Sequence, residues 1–339
     1  MKFQRLTVAG IVASTMLVNT PRSLASIVPE NKPATDRNNH YAYSGGLELT
    51  NKIDRYEQNT SCYDPQTARS THYQMWINRG IALQHQKKYL ESVVCFDRAL
   101  SLESKSEQAW YRRGIAFSHL KQYSQAVSAY QRAIELDPQK HTSWYNLGNA
   151  YKHIGKYKEA IASHQQAIAL KPDFHTAYYQ LGKVLEKTGK YQQAINAYSE
   201  AIDLEPEYYS AWYSQANALH KLQRYDEAIA IYQKTLEFKP EQHRTWYNLG
   251  NIYFKQKNYT EAIAAYEPAI ELKPDYDLAW NNHGAALEAL QETSKALQSY
   301  SQALQANPNY DKASINRRRL LMSVSDRTTL SNSNIFDLK

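Results

Sequence analysis

Three groups of residues in this 339-residue chain recur or pair in ways that chemistry needs. His85, His119 and His153 stand 34 residues apart, and imidazoles are common metal ligands. Equivalent side chains on successive packed helices lie about 10 Å apart, whereas one metal ion needs ligands at about 2 Å. No metal site is expected from them. Cys62 and Cys95 are the only cysteines, too few and too far apart for a metal site, but an even pair suits one disulfide in an exported chain. No phosphate-binding Gly loop, no His-Glu-x-x-His and no set of Ser, His and acid is present, so no catalytic residue and no cofactor is expected. The third group reads as a binding surface. Tyr111, Tyr145, Tyr179, Tyr213 and Tyr247 recur at 34; Asn149, Lys183, Asn217 and Asn251 follow four residues on, then Lys187, Lys221 and Lys255, with Lys152 beside them. Carboxamides bind backbone amides and ammonium groups meet carboxylates, a mixture suited to an extended peptide with acidic groups.

To act together these residues must share a face, and the same period supplies the elements that hold them. All six Trp residues (Trp76, Trp110, Trp144, Trp212, Trp246, Trp280) sit on one lattice of 34, whose vacant point is Tyr178. Four residues after each lattice point comes Gly80, Gly114, Gly148, Gly182, Ala216, Gly250 or Gly284. Ala126, Ala160, Ala194, Ala228, Ala262 and Ala296 recur further on, as do Ala99, Ala133, Ala167, Ala201, Thr235, Ala269 and Ala303, and units close on Pro138, Pro172, Pro206, Pro240, Pro274 or Pro308. In the third unit Trp144, Leu147, Gly148 and Tyr151 fall on one helical face. After a break near Gly155-Lys156, the residues Tyr157, Ala160, Ile161, His164, Ala167 and Ile168 do the same on a second helix. The small residues let the two helices approach closely, with Trp144 and Tyr157 expected to fill the space beside them.

This pattern resembles the tetratricopeptide repeat, over seven units: 73–106, 107–140, 141–174, 175–208, 209–242, 243–276 and 277–310. The resemblance implies an all-α, right-handed superhelix of 34-residue helix-turn-helix repeats, with the first helix of each lining a concave groove. It also implies a non-enzymatic scaffold for protein or peptide partners. Members that clamp acidic chaperone tails carry Lys just after the Trp position; here that place is Tyr in units two to six, with Ile77 and Asn281 at the ends, so that particular role is not expected.

The regions outside the repeats set the context. Only 11 Gly and 11 Pro accompany 28 Tyr, which leaves few turn residues and favours helices. The net charge of +7 gathers at the ends: Lys2, Arg5 and Arg22 meet no acid in residues 1–25, and residues 311–339 hold six basic and three acidic groups. The body is near neutral, which singles out no partner and disfavours nucleic acid. Residues 1–25 resemble a secretory signal, with an apolar run from Leu6 to Val18 too short to span a bilayer and small residues before a cut after Ala25. An exported location follows; the alternatives are a membrane tether through an uncleaved N-terminus, giving an assembly or chaperone factor, and a cytoplasmic leader. Residues 26–72 read as a linker with a short helix at Leu47 to Gln58, 311–323 as a capping helix in which Leu320, Leu321 and Met322 cover the last repeat, and 324–339 as a disordered tail. Pro268 should kink its helix. The native protein, fractionated and weighed intact, is expected to lack residues 1–25 and to gain the mass of two hydrogens on reduction; a full-length, already reduced chain would remove both the export reading and the Cys62–Cys95 bond.

Overall fold

The computed structural model describes the backbone of residues 72–336 and the side chains of residues 72–325. Residues 1–71, which include the expected signal, most of the linker and Cys62, lie outside the described residues. Among those described there are fifteen helices and no strand. The units are the pairs α1 (Tyr73–His85) with α2 (Tyr89–Leu102), α3 (Glu107–His119) with α4 (Tyr123–Leu136), α5 (His141–His153) with α6 (Tyr157–Leu170), and α7 (His175–Lys187) with α8 (Tyr191–Leu204). They continue as α9 (Tyr209–Lys221) with α10 (Tyr225–Phe238), α11 (His243–Lys255) with α12 (Tyr259–Leu272), and α13 (Asp277–Ala289) with α14 (Thr293–Ala306), before a last helix α15 (Asp311–Phe336). Helices pack in chain order as a right-handed α-solenoid. Each odd helix also touches the next odd helix, at the seam between units five and six through the hydrogen bonds of Asn248 and Thr245, whereas successive even helices stay further apart. The stack therefore curves with the odd helices inside.

The spacing of the pairs has a local cause. Each even helix lays one fully buried ring on the odd helix of its unit: Tyr130, Tyr198, Tyr232, Tyr266 and Tyr300, with Phe96 in unit one and His164 in unit three. The ring lies where the glycine leaves backbone bare; a Cβ on Gly182 would stand 2.4 Å from the Tyr198 ring, and one on Gly148 2.7 Å from that of His164. This ring, rather than Trp144 or Tyr157, fills the space that the sequence pattern assigned to those two. The Trp lattice instead anchors turns. The indole N–H of Trp144, Trp212, Trp246 and Trp280 donates to the carbonyl of Pro138, Pro206, Pro240 and Pro274 at 2.8–2.9 Å, and Trp110 does so to Ser104. Each of these odd helices is thus pinned to the turn before it. Within units, the turn residue takes positive φ, from 60° at Lys121 to 76° at Gly155. The amides of Gly155 and Lys156 then satisfy the last carbonyls of α5, those of Lys152 and Tyr151.

Unit five departs from this plan. Ala216 replaces the glycine opposite Tyr232 and Thr235 replaces an alanine, and a cavity of about 590 Å³ lies at the seam with unit six, lined by Leu236, Trp246, Leu249 and Tyr253. The helix α12 runs unbroken through Pro268; the carbonyl of Ala264, which loses its helical donor there, belongs to an exposed residue that water can reach. The cap differs from expectation in two ways. It continues as α15 to Phe336, past the predicted end at 323, because no Gly or Pro interrupts it. Ala313 and Leu320, seven residues apart on one face, are buried, but Leu321 and Met322 turn away and are exposed. Arg319 pairs with Glu288 at 2.7 Å, and Asn316 donates to Asn281 at 3.0 Å, as an eighth odd helix would.

Gly182→Ala should lower stability: overpacking against Tyr198 costs about 1–3 kcal/mol, against a helix-propensity gain of about 1 kcal/mol. Denaturant titrations of Gly182→Ala, Tyr198→Leu and the double variant should be non-additive, the double losing less than the two singles together. Additive losses would mean that the ring does not set the helix spacing.

Candidate functional site

The site residues read from sequence all lie on the odd helices, and the structure divides them into groups with different duties. Each of four tyrosines in the recurring series rests against the buried ring of its own unit: Tyr145 on His164 with centroids 5.7 Å apart, Tyr179 on Tyr198 at 5.9 Å, Tyr213 on Tyr232 at 6.2 Å and Tyr247 on Tyr266 at 6.1 Å. Backbone, buried ring and groove tyrosine thus form three layers, and the inner surface inherits its spacing from the core. At the junction of units, Phe174 stands 5.0 Å from Tyr145, Tyr208 5.1 Å from Tyr179 and Tyr276 5.0 Å from Tyr247. His141, His175 and His243 close the outer side of these corners, edge-on to Phe174, Tyr208 and Tyr276 at 5.2–5.3 Å.

Two of the three asparagines, Asn217 and Asn251, are committed to the fold. Asn217 Oδ1 accepts from Tyr232 Oη at 2.6 Å and from Asn248 Nδ2 of the next unit at 3.0 Å, while that same Nδ2 lies 3.1 Å from Tyr213 Oη. Asn251 does the same with Tyr266 and Asn282, at 2.8 Å each, and Asn282 reaches Tyr247 Oη. These clasps tie the core ring of one unit to the odd helix of the next. Sequence reasoning assigned the carboxamides to a ligand because it lacked the rings and asparagines that occupy them, although Asn146, Asn248 and Asn282 do recur on the same period.

The lysines divide as well. Lys187, Lys221 and Lys255 are exposed in the last turns of α7, α9 and α11, where a cation also complements the helix C-terminus. In units two and three the same place holds His119 and His153, each stacked on a tyrosine of the preceding unit, Tyr89 at 4.3 Å and Tyr123 at 4.1 Å; the 34-residue histidine series is a packing feature there. Lys152 is half-buried and donates to Gln180 at 2.6 Å; burial, then the neighbouring Lys183, lowers its pKa. Lys183 meets Glu186 at 3.1 Å. Lys152 borders a cavity of about 350 Å³ with Ser118, Tyr130, Asn146 and Asn149.

Charge is segregated in a way that the near-neutral total conceals. Odd helices of the seven units hold nine basic and four acidic residues; even helices hold five basic and twelve acidic. The near-neutral total thus hides a basic excess on the odd helices and an acidic one on the even helices. Cys95 is buried in α2 and is not a free thiol; Cys62 lies outside the described residues. Among the described residues no helix is long and apolar enough to cross a membrane.

Unit three is the polar exception in the core. His164 replaces tyrosine and is too short to reach Asn149, so both its ring nitrogens and Asn149 Oδ1 are buried without partners. Burial, with Lys152 adding a little, pushes the His164 pKa down to about 3, and burial holds that of His283 at about 4. An unfolded imidazole titrates near 6.5. Above that pH neither state takes up a proton; as pH falls below it the unfolded chain gains protons that the folded one does not, so stability is lost from there down to the folded values. Thermal melts should weaken between pH 7 and pH 5 by about 2 kcal/mol per histidine. His164→Tyr, which supplies the missing hydroxyl, should raise stability at pH 7 and reduce that slope; an unchanged slope would place the titration elsewhere.

Comparison with known proteins gives a consistent picture. Models of the tetratricopeptide repeat match residues 107–140, 141–174, 179–243, 243–276 and 278–310, more than half of the chain. The first unit, with its Arg79, Ser92 and Ser104, lies before these ranges and folds as the same helix pair. No curated protein sequence matches the chain. Among solved structures, the C-terminal part of a repeat-containing protein from Cytophaga hutchinsonii is 18% identical, with a TM-score of 0.63 over 70% of this chain and 97% of that one; it supports the fold alone. YrrB, described as having an unusual peptide-binding site, is 26% identical over 54% of this chain and 95% of its own, with a TM-score of 0.49. MamA is 28% identical over 48% and 94%, at 0.46.

Proposed function

The chain belongs to the tetratricopeptide repeat family, and on that premise we propose that it is a non-enzymatic scaffold that holds an acidic protein segment against its odd helices. The observation that carries this reading is the charge segregation: a basic, tyrosine-rich inner surface backed by acidic even helices. Exposed Lys187, Lys221 and Lys255 form a row one unit apart, and a carboxylate-bearing segment running across the units meets them in turn. Export, with residues 1–25 as the signal and Cys62 joined to Cys95, belongs to the same proposal; it puts the partner outside the cytoplasm.

Binding and stability are separable by experiment. A labelled peptide of alternating Gly-Ser and Glu residues, titrated with the full chain, should bind in a salt-sensitive way and weaken at least tenfold for Lys187→Glu, Lys221→Glu and Lys255→Glu combined, with an unchanged melting temperature. Asn217→Ala, in contrast, should lower the melting temperature by breaking the Tyr232 and Asn248 bonds. Unchanged peptide affinity in the triple variant would move the site elsewhere. Tighter binding of single-stranded oligothymidine than of the peptide would favour base stacking on the tyrosines instead.

A further inference from the structure

The clasps are not uniform, and the places where they are missing single out one stretch of the inner surface. At three seams the hydroxyl oxygen of the groove tyrosine is held by accepting from an asparagine, Asn146 for Tyr111, Asn248 for Tyr213 and Asn282 for Tyr247, at 3.1–3.2 Å. At the two seams following units three and four, Gln180 and Ser214 stand where those asparagines would be. Gln180 is engaged by Lys152 instead, and neither Tyr145 nor Tyr179 has a hydrogen-bond partner for its hydroxyl among the described residues. These same two tyrosines form open aromatic corners with Phe174 and Tyr208, the rings inclined at 50° and 65°. The two corners belong to successive units, Phe174 closing the first against Tyr145 and Tyr208 the second against Tyr179. Unit six repeats the corner with Tyr247 and Tyr276, but there the hydroxyl oxygen is held by the Asn282 amide.

We propose that units three and four are the docking site for an acidic, proline-rich segment in the polyproline II conformation, laid along Tyr145, Phe174, Tyr179 and Tyr208. The inference deepens the groove reading above and rests on it. Three features select this occupant. Aromatic corners take flat aliphatic rings, and proline-rich segments dock on aromatic-lined grooves with little ordering cost. The corners recur once per repeat, at the roughly 8–10 Å that separates packed helices, and a polyproline II helix repeats every three residues, about 9 Å, so successive turns meet successive corners. The free hydroxyls and the ammonium groups of Lys152, Lys183 and Lys187 are donors. Proline offers carbonyl acceptors and no N–H, whereas an extended strand would bring an N–H at every residue and find few acceptors. The ammonium groups add the charge preference: acidic residues between the prolines are complemented and basic ones repelled.

Fluorescence anisotropy of labelled (Pro-Pro-Glu)4, (Gly-Gly-Glu)4 and (Pro-Pro-Lys)4, each titrated with the full chain, tests this. The proline–glutamate peptide should bind at least tenfold more tightly than either of the others. Tyr145→Phe with Tyr179→Phe should weaken it about tenfold, leave the glycine–glutamate peptide unchanged, and leave the melting temperature unchanged, because those hydroxyls bond to nothing within the described protein. Equal affinity for the two glutamate peptides, or no effect of the double variant, overturns the polyproline proposal while leaving the acidic groove standing. Failure of both glutamate peptides to bind removes the groove reading and this inference with it.

Discussion

The fold turns on a ring laid against bare helix backbone. A glycine in an exposed helix interior costs about 1 kcal/mol relative to alanine, and this chain places one in six of its seven odd helices. The cost is offset because the missing Cβ lets a fully buried Tyr, Phe or His ring lie on the backbone, bringing the pair of helices close enough to bury the alanines beside it. Unit five shows the converse. With Ala216 in the glycine's place, its even helix packs less closely on the odd helix of unit six than at other seams, and the largest of the seam cavities described lies there.

Stacking alone would leave the units free to rotate about one another, since an apolar contact is non-directional. Direction comes from polar pins. The indole N–H fixes an odd helix to the turn before it, and the tyrosine–asparagine clasp fixes a core ring to the next unit. The clasp is built from half-buried groups whose loss leaves an unpaired polar atom, so it constrains geometry more than its net energy suggests, whereas the indole bonds lie at the surface. The cap obeys the same rule: Asn316 on α15 makes the contact that the asparagine of a further odd helix would make and Arg319 pairs with Glu288, while Ile315, Leu321 and Met322 stay exposed on its outer side among the arginines.

How much of this was legible follows from what kind of signal each feature leaves. The Trp, Gly, Ala and Pro series recur with fixed identity, so the unit, its boundaries and the helix pairing could be read directly. The ring row was also periodic, but Phe96 and His164 interrupt it, and its role depends on distance to a backbone that no sequence displays. The asparagines were misassigned for a related reason. A side chain on the groove face can spend its acceptor on a neighbour in the next unit, 31 residues away, and single-helix reasoning places it without seeing that neighbour. The charge segregation escaped because it cancels in the total; only sorting residues by helix reveals it. Of the chain's ends, the cap's extension to Phe336 was missed because a helix stops only where something stops it, and the tail supplies neither Gly nor Pro.

In a repeat protein the periodic residues report on folding, so information about a ligand concentrates where the period is broken. Unit three breaks it twice on one seam: His164 cannot make the bond that tyrosine makes elsewhere, and Gln180 replaces the asparagine that would cap Tyr145. The first leaves buried polar atoms without partners, and the second leaves the Tyr145 hydroxyl uncapped while Gln180 binds Lys152. Retaining two unpaired imidazole nitrogens and a buried carboxamide oxygen costs on the order of a few kcal/mol, in a fold whose other units demonstrate the better-satisfied alternative. A stack optimised only for its own stability would have tyrosine and asparagine there. The hydroxyls that remain, those of Tyr145 and Tyr179, lie on the odd helices of adjacent units, which is the arrangement that an extended partner crossing the units would require.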